Sequence, residues 1–176
     1  MLMSKEEQTQ FAVESREEVI SSCPFRVRRV ARWSECDPAG VVYTGNFTEY
    51  MLSATHLFRR HVFGGTWKEI RGQVGIDTPN KALSIVFNGS LWPDDIFDIE
   101  VQVGGIRNRT FDFEVAAFRA DDGSSVFTGT LSAICVKADD RRIAVPIPEP
   151  LRQQLEDSRL SYGKPSKEAH KRGLPR

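Results

Sequence analysis

The chain has no surplus of charge of either sign, since Lys and Arg together number 24 and so do Asp and Glu. A net charge near zero removes the electrostatic ground for general binding to nucleic acid or to an acidic membrane surface. Any recognition of anions must be local. Cysteine is scarce: Cys23, Cys36 and Cys135 are odd in number and lack metal-ligand spacing, which argues against a disulfide framework and a zinc site and points to a reducing compartment. Histidine is equally scarce. His56 and His61 are five residues apart, off the spacing of three or four that places two ligands on one helix face, and His170 stands alone. No apolar run approaches the length of a membrane-spanning helix, and Met1 to Glu7 lack a basic start followed by an apolar segment. The expectation is a soluble, cytoplasmic protein that uses no metal or cofactor.

What is present is ordinary in amount and informative in pattern. The 176 residues, 40% hydrophobic and 27% charged, suit one globular domain. Residues 1–23 carry Glu6, Glu7, Glu14, Glu17 and Glu18 with few apolar residues and read as a polar arm with a short helix at about 11–20. Residues 24–159 form the domain. Residues 160–176 hold Lys164, Lys167, Lys171, Arg172 and Arg176 with little that is apolar, so a basic, disordered tail is expected.

Inside the domain the period of the apolar residues switches between that of a strand and that of a helix. Phe25 to Trp33 alternates apolar with charged residues, as a half-buried strand does, whereas Phe47, Tyr50, Met51, Ala54, Leu57 and Phe58 recur at helical spacing over about 46–62. Thr66 is placed to cap a short helical turn. From about residue 82 the alternations of Leu83-Ile85-Phe87-Leu91, Phe97-Ile99-Val101-Val103, Phe111-Phe113-Val115 and a segment near 126–137 read as strands joined by short turns. Pro146, Pro148 and Pro150 end the strands before a short helix at Leu151 to Leu155. One long helix and about five strands make an α+β domain, an antiparallel sheet with a helix on one face.

The junction of strand and long helix concentrates the chemistry: Trp33-Ser34-Glu35-Cys36-Asp37-Pro38-Ala39-Gly40-Val41-Val42-Tyr43-Thr44-Gly45-Asn46-Phe47. Free N–H groups at a helix start present donors and the positive end of the macrodipole, which suits an oxyanion. A carboxylate beside them, Asp37, can serve as general base or as nucleophile. The other reading of Asp37 is a turn former or cap, with Thr44 or Asn46 the better placed cap. Cys36 has no cationic neighbour to make a thiolate and reads as a structural thiol. Arg107-Asn108-Arg109-Thr110 lies at a strand junction, where two arginines suit a phosphate-bearing ligand or simply a solvated turn.

Asp37-Pro38-Ala39-Gly40-Val41-Val42 followed by Asn46-Phe47 resembles the signature of the hotdog-fold thioesterases, most closely the 4-hydroxybenzoyl-CoA thioesterase branch, over roughly residues 25–150. The resemblance implies an antiparallel sheet wrapped around a central helix, and an acyl-CoA thioesterase in which Asp37 is the catalytic carboxylate and the backbone N–H at Thr44 polarises the thioester carbonyl. It implies further that Arg107, Asn108, Arg109 and Thr110 bind the phosphates of coenzyme A, with Thr110-Phe111 matching the family's Ser/Thr-Phe pair. Tyr43 and Phe47 would line the acyl pocket. A homodimer or homotetramer with sites built from two chains is implied as well. Many relatives have an acid where this chain has Leu52, with Glu49 on another face; relatives acting on short aliphatic acyl groups often have His at the position of Thr44. The absence of that His favours an aromatic acyl group such as 4-hydroxybenzoyl, or an unusual one, with a short-chain acyl group as the other expectation. The alternatives are a thioesterase acting on acyl-carrier protein and a non-catalytic acyl-CoA binder.

Overall fold

In the computed structural model, which describes residues 17–162 of the chain, Glu17–Ser22 (β1) and Phe25–Val30 (β2) form an antiparallel hairpin. Phe25, Val27 and Arg29 of β2 are buried and the residues between them exposed, the outcome of alternate side chains on a strand. A single 3-10 turn at Trp33–Glu35 and a loop through Asp37 lead into helix α1, Thr44–Phe63. Helix α2, Trp67–Val74, is started by a capping box in which Glu69 accepts the Thr66 N–H at 2.7 Å. Strands β3 (Ile76–Asp77), β4 (Asn80–Phe87), β5 (Ile96–Ile106), β6 (Thr110–Arg119), β7 (Ser125–Ile134) and β8 (Val136–Lys137) follow, then helix α3, Glu149–Tyr162.

Six strands form one antiparallel sheet in the order β1-β2-β5-β6-β7-β4, and β3 pairs with β8 separately. Helix α1 packs on one face. Its Phe47, Tyr50, Met51, Ala54 and Phe58 meet Phe97, Ile99 and Val101 of β5, Phe113 and Ala117 of β6, and Phe127 and Leu131 of β7, all buried in one core. Each fully buried Phe stabilises the fold by about 1.5–3 kcal/mol. Among the described residues no helix is long and apolar enough to cross a membrane.

Three expectations need correction. The part of the expected 11–20 helix that is described, from Glu17, is strand β1, and residues 11–16 lie outside the described residues. Pairing there sets Glu17 opposite Arg29 and Glu18 opposite Arg28. That strand also raises the main sheet from about five strands to six. The C-terminal helix runs well past Leu155. Leu151 and Leu155 bury one face, and Tyr162 extends the contact, its ring edge-on to Phe58 at 6.0 Å and its hydroxyl donating to the Ser22 carbonyl at 3.1 Å. The expected tail thus begins as helix, and its remainder, 163–176 with His170, lies outside the described residues.

Candidate active site

The loop between β2 and α1 is a tight return. The Gly40 N–H donates to the Asp37 carbonyl and the Asp37 N–H to the Val41 carbonyl, each at 2.9 Å, while Cys36 and Val42 form a bridge across it. Gly40 takes φ +81°, a left-handed value that a side chain disfavours and that the return demands. The Asp37 carboxylate accepts the Ala39 N–H at 2.8 Å through Oδ1, which fixes its rotamer, and remains half-buried. Asp37 therefore takes part in an ordinary turn and still presents carboxylate oxygen.

The start of α1 is uncapped. Tyr43 is the N-cap residue and makes no side-chain cap bond. Among the described residues the Thr44 and Gly45 N–H groups have no acceptor, while the Asn46 N–H donates to the Tyr43 carbonyl at 2.9 Å. The expected caps do other things: the Asn46 side-chain amide donates to the Glu35 carbonyl at 2.6 Å, and that same carbonyl accepts the Tyr43 N–H at 2.9 Å. One carbonyl, two residues before Asp37, thus clamps the loop to the first turn of the helix.

Beneath the clamp lies a buried charge network that sequence reasoning missed. Arg29, only 6% exposed, bonds Glu17, lies 3.6 Å from the Glu35 carboxylate and stacks 4.4 Å from the Tyr50 ring centre. The Tyr50 hydroxyl donates to Glu35 Oε2 at 2.7 Å. Burial, then this bond and the charge of Glu35, push the Tyr50 hydroxyl pKa far up, so it stays a donor. A signal was present: alternation from Phe25 through Val27 puts Arg29 on the inward face, where a guanidinium requires carboxylates.

The surroundings of Cys36 favour the thiol over the thiolate. Burial, followed by the charges of Glu35, Asp37 and Asp94, raises its thiol pKa, and the S–H donates to the Arg32 carbonyl at 3.4 Å. Among the described residues no three His, Cys, Asp or Glu side chains are grouped to hold a metal ion.

The expected binding residues divide between two ends of the molecule. Tyr43 and Phe47 stand with Asp37 and Thr44 at the start of α1, Tyr43 exposed and Phe47 buried with its ring edge-on to Phe87 and Phe127 at 5.4 and 5.8 Å. Arg107, Asn108, Arg109 and Thr110 form the β5–β6 turn, beside Cys135 and Ile147. That turn is at the far end of the sheet: β5 starts opposite the end of β2, next to the Asp37 loop, and runs away from it for 11 residues, about 33–37 Å at 3.3–3.4 Å per residue. Arg107 is paired with Asp112 at 2.8 Å, and Arg109 is exposed with no carboxylate within ion-pair distance among the described residues. Three cavities, of about 360, 240 and 420 Å³, open elsewhere, and none is lined by Asp37 or Thr44.

A helix laid on a six-stranded antiparallel sheet, with a carboxylate loop leading to its uncapped start, defines the hotdog class. The thioesterase-like superfamily matches residues 31–155, and the chain belongs to it. Solved structures agree in fold. A thioesterase-superfamily protein from Jannaschia sp. CCS1 is 23% identical, with TM-score 0.69 over 80% of this chain and 96% of that one. The 4-hydroxybenzoyl-CoA thioesterase of Pseudomonas sp. strain CBS-3 is 20% identical, with TM-score 0.66 over 73% and 96%. The 1,4-dihydroxy-2-naphthoyl-CoA thioesterase of Synechocystis is 19% identical, with TM-score 0.65 over 76% and 96%. No curated protein matches the sequence.

Proposed function

We propose that the chain hydrolyses acyl-CoA thioesters at the start of α1. The observation that carries this reading is the pair of unpartnered N–H groups at Thr44 and Gly45, tied through the Glu35 carbonyl to the loop that bears Asp37. A thioester carbonyl placed there gains a donor as it becomes an oxyanion, an interaction typically worth about 3–4 kcal/mol in the transition state. Asp37 acts on the carbonyl carbon. As general base it takes a proton from the attacking water; as nucleophile it forms a mixed anhydride, releases the coenzyme A thiolate and is freed by water. Tyr43, exposed over the first turn, lines the acyl side, with Phe47 supporting it from the core.

Two copies complete the site. The Arg107 to Thr110 turn is too far from Asp37 of its own chain to hold the nucleotide of the same substrate, so we infer that it serves the site of a second copy. β4 is the edge that suits this pairing, because Leu83, Val86 and Phe87 are exposed along it and its outer backbone groups have no partner strand among the described residues. The relatives named for 4-hydroxybenzoyl-CoA and 1,4-dihydroxy-2-naphthoyl-CoA support an aromatic acyl group.

Thiol release from a panel of aromatic and short straight-chain acyl-CoAs, with Asp37→Asn beside wild type, tests the reading. The variant should lose about a hundredfold to ten-thousandfold in kcat. Equal turnover by both proteins would remove Asp37 from the mechanism. Hydrolysis only of acyl groups on a carrier protein would exchange the proposed substrate for that one.

A further inference from the structure

The cavity of about 240 Å³ at the other end of α1 has a property the hydrolytic site does not explain. Arg59 lines it, and no carboxylate lies within ion-pair distance of that guanidinium among the described residues. Its Nη atoms donate to neutral acceptors, the Thr78 carbonyl at 3.3 Å and Asn80 Oδ1 at 2.8 Å, and the Phe113 ring backs it at 5.3 Å. Nε of Arg59 and the hydroxyl of Thr78, both buried, have no partner among the described residues. Burial lowers the Arg59 pKa to about 10, with the charge of Asp77 only partly opposing this.

Asp77 is already engaged. Its Oδ1 accepts the Trp67 indole N–H at 2.8 Å and the Thr78 N–H at 3.0 Å, and its Oδ2 pairs with Arg141 at 3.2 Å. Arg60 also lines the cavity, so three arginines face one acid. What the cavity lacks is an anion. A carboxylate fits best: its two oxygens match a guanidinium fork and leave a lone pair for the Thr78 hydroxyl, and its single charge is compatible with Asp77 nearby, where a phosphate dianion would be repelled. Trp67, Ile70 and Pro79 supply apolar wall.

The position of the cavity gives it a use. Asn80 begins β4 beside Arg59, and Phe87 ends β4 beside Phe47 at the start of α1. Within one chain the length of β4, eight residues or about 27 Å, separates them. An edge strand that pairs antiparallel with its own copy about a two-fold axis must set its beginning beside the copy's end. The cavity of one subunit then faces the Asp37 loop of the other.

Resting on the thioesterase reading and on that pairing, we propose that Arg59 and Thr78 of the partner subunit bind a carboxylate on the far end of the acyl group. The substrates are acyl-CoAs that carry a second, free carboxylate, and each site is built from Asp37 of one chain and Arg59 of the other.

The test compares 4-carboxybenzoyl-CoA with 4-methylbenzoyl-CoA, and glutaryl-CoA with valeryl-CoA. Wild type should prefer the carboxylated member of each pair in kcat/KM by about ten- to a hundredfold, chiefly through KM, and Arg59→Met should collapse that ratio toward one. Thr78→Val, a milder change, should reduce it in the same direction should Arg59→Met not fold. Equal rates within each pair for wild type would overturn the proposal and leave the thioesterase reading standing. Mixing chains carrying Asp37→Asn with chains carrying Arg59→Met should restore about a quarter of wild-type kcat/KM on the carboxylated substrate, read well below KM, since half of randomly formed dimers hold one intact site. No restoration would overturn the two-chain arrangement. If no thioester is hydrolysed, the thioesterase reading fails by itself. Calorimetric titration of benzoate then decides the cavity: saturable binding lost in Arg59→Met supports it, and no binding overturns it.

Discussion

At the scale of single residues, two positions do work that their types alone do not announce. Gly40 holds the return of the Asp37 loop at φ +81° with nothing among the described residues within 4 Å of where a Cβ would stand, so conformation and not crowding excludes a side chain. Gly40→Ala should cost about 1–2 kcal/mol, read as a shift in the urea midpoint, and should lower kcat by letting the carboxylate move. Arg29 is the second. Its inward phase on β2 was legible in the alternation, yet its partners were not, because Glu17 and Glu35 come from segments with no pattern that assigns them to it.

At the scale of elements, the start of α1 depends on a clamp between a loop and a helix. Asn46→Ala removes the amide that holds the Glu35 carbonyl, so it should reduce kcat more than it raises KM, with circular dichroism of the helix unchanged. Tyr50→Phe tests the level below. It takes a donor from the Glu35 carboxylate and should cost about 1.5–3 kcal/mol, measured by chemical denaturation, as bonds to charged groups do. The long helix itself was readable from its apolar stripe, and its extension to Thr44 was not, since Thr44 and Gly45 contribute nothing to that stripe.

At the scale of the whole molecule, alkaline pH should weaken the fold. Burial pushes the Cys135 thiol from 9.0 up to about 11. Below pH 9 the thiol is protonated in both states. Between pH 9 and 11 the unfolded chain releases a proton that the folded chain keeps, so stability falls as pH rises. Tyr50 and Tyr162 shift in the same direction, whereas Arg59, lowered to about 10, opposes them above that pH. Urea midpoints should drop from pH 8.5 to 10, and Cys135→Ala should flatten the drop. The proposed pairing through β4 gives a second expectation: on that reading Leu83→Asp should shift sedimentation from dimer to monomer and abolish turnover, since a charge on a paired edge is costly to bury.

Local pattern determined a good deal of this protein. The alternations that became β2, β5, β6 and β7, the stripe of α1, the Thr66 capping box and the turn chemistry around Asp37 are all properties of neighbours in sequence, acting through side-chain phase and backbone preference. What only the tertiary structure decided depends on residues far apart in the chain. Glu17 joins the sheet because Arg29 waits across a hairpin, and Leu91, expected to continue the strand of Phe87, is buried although that strand ends at Phe87. Arg107 and Arg109 stand at the opposite end of the sheet from Asp37 because antiparallel strands carry each turn to one end or the other. Arg59, one residue among several polar ones on α1, becomes a half-buried cation with its Nε enclosed only when Thr78, Asn80 and Phe113 close around it. A period in sequence tells which face a side chain takes, and desolvation and pairing decide what it meets there.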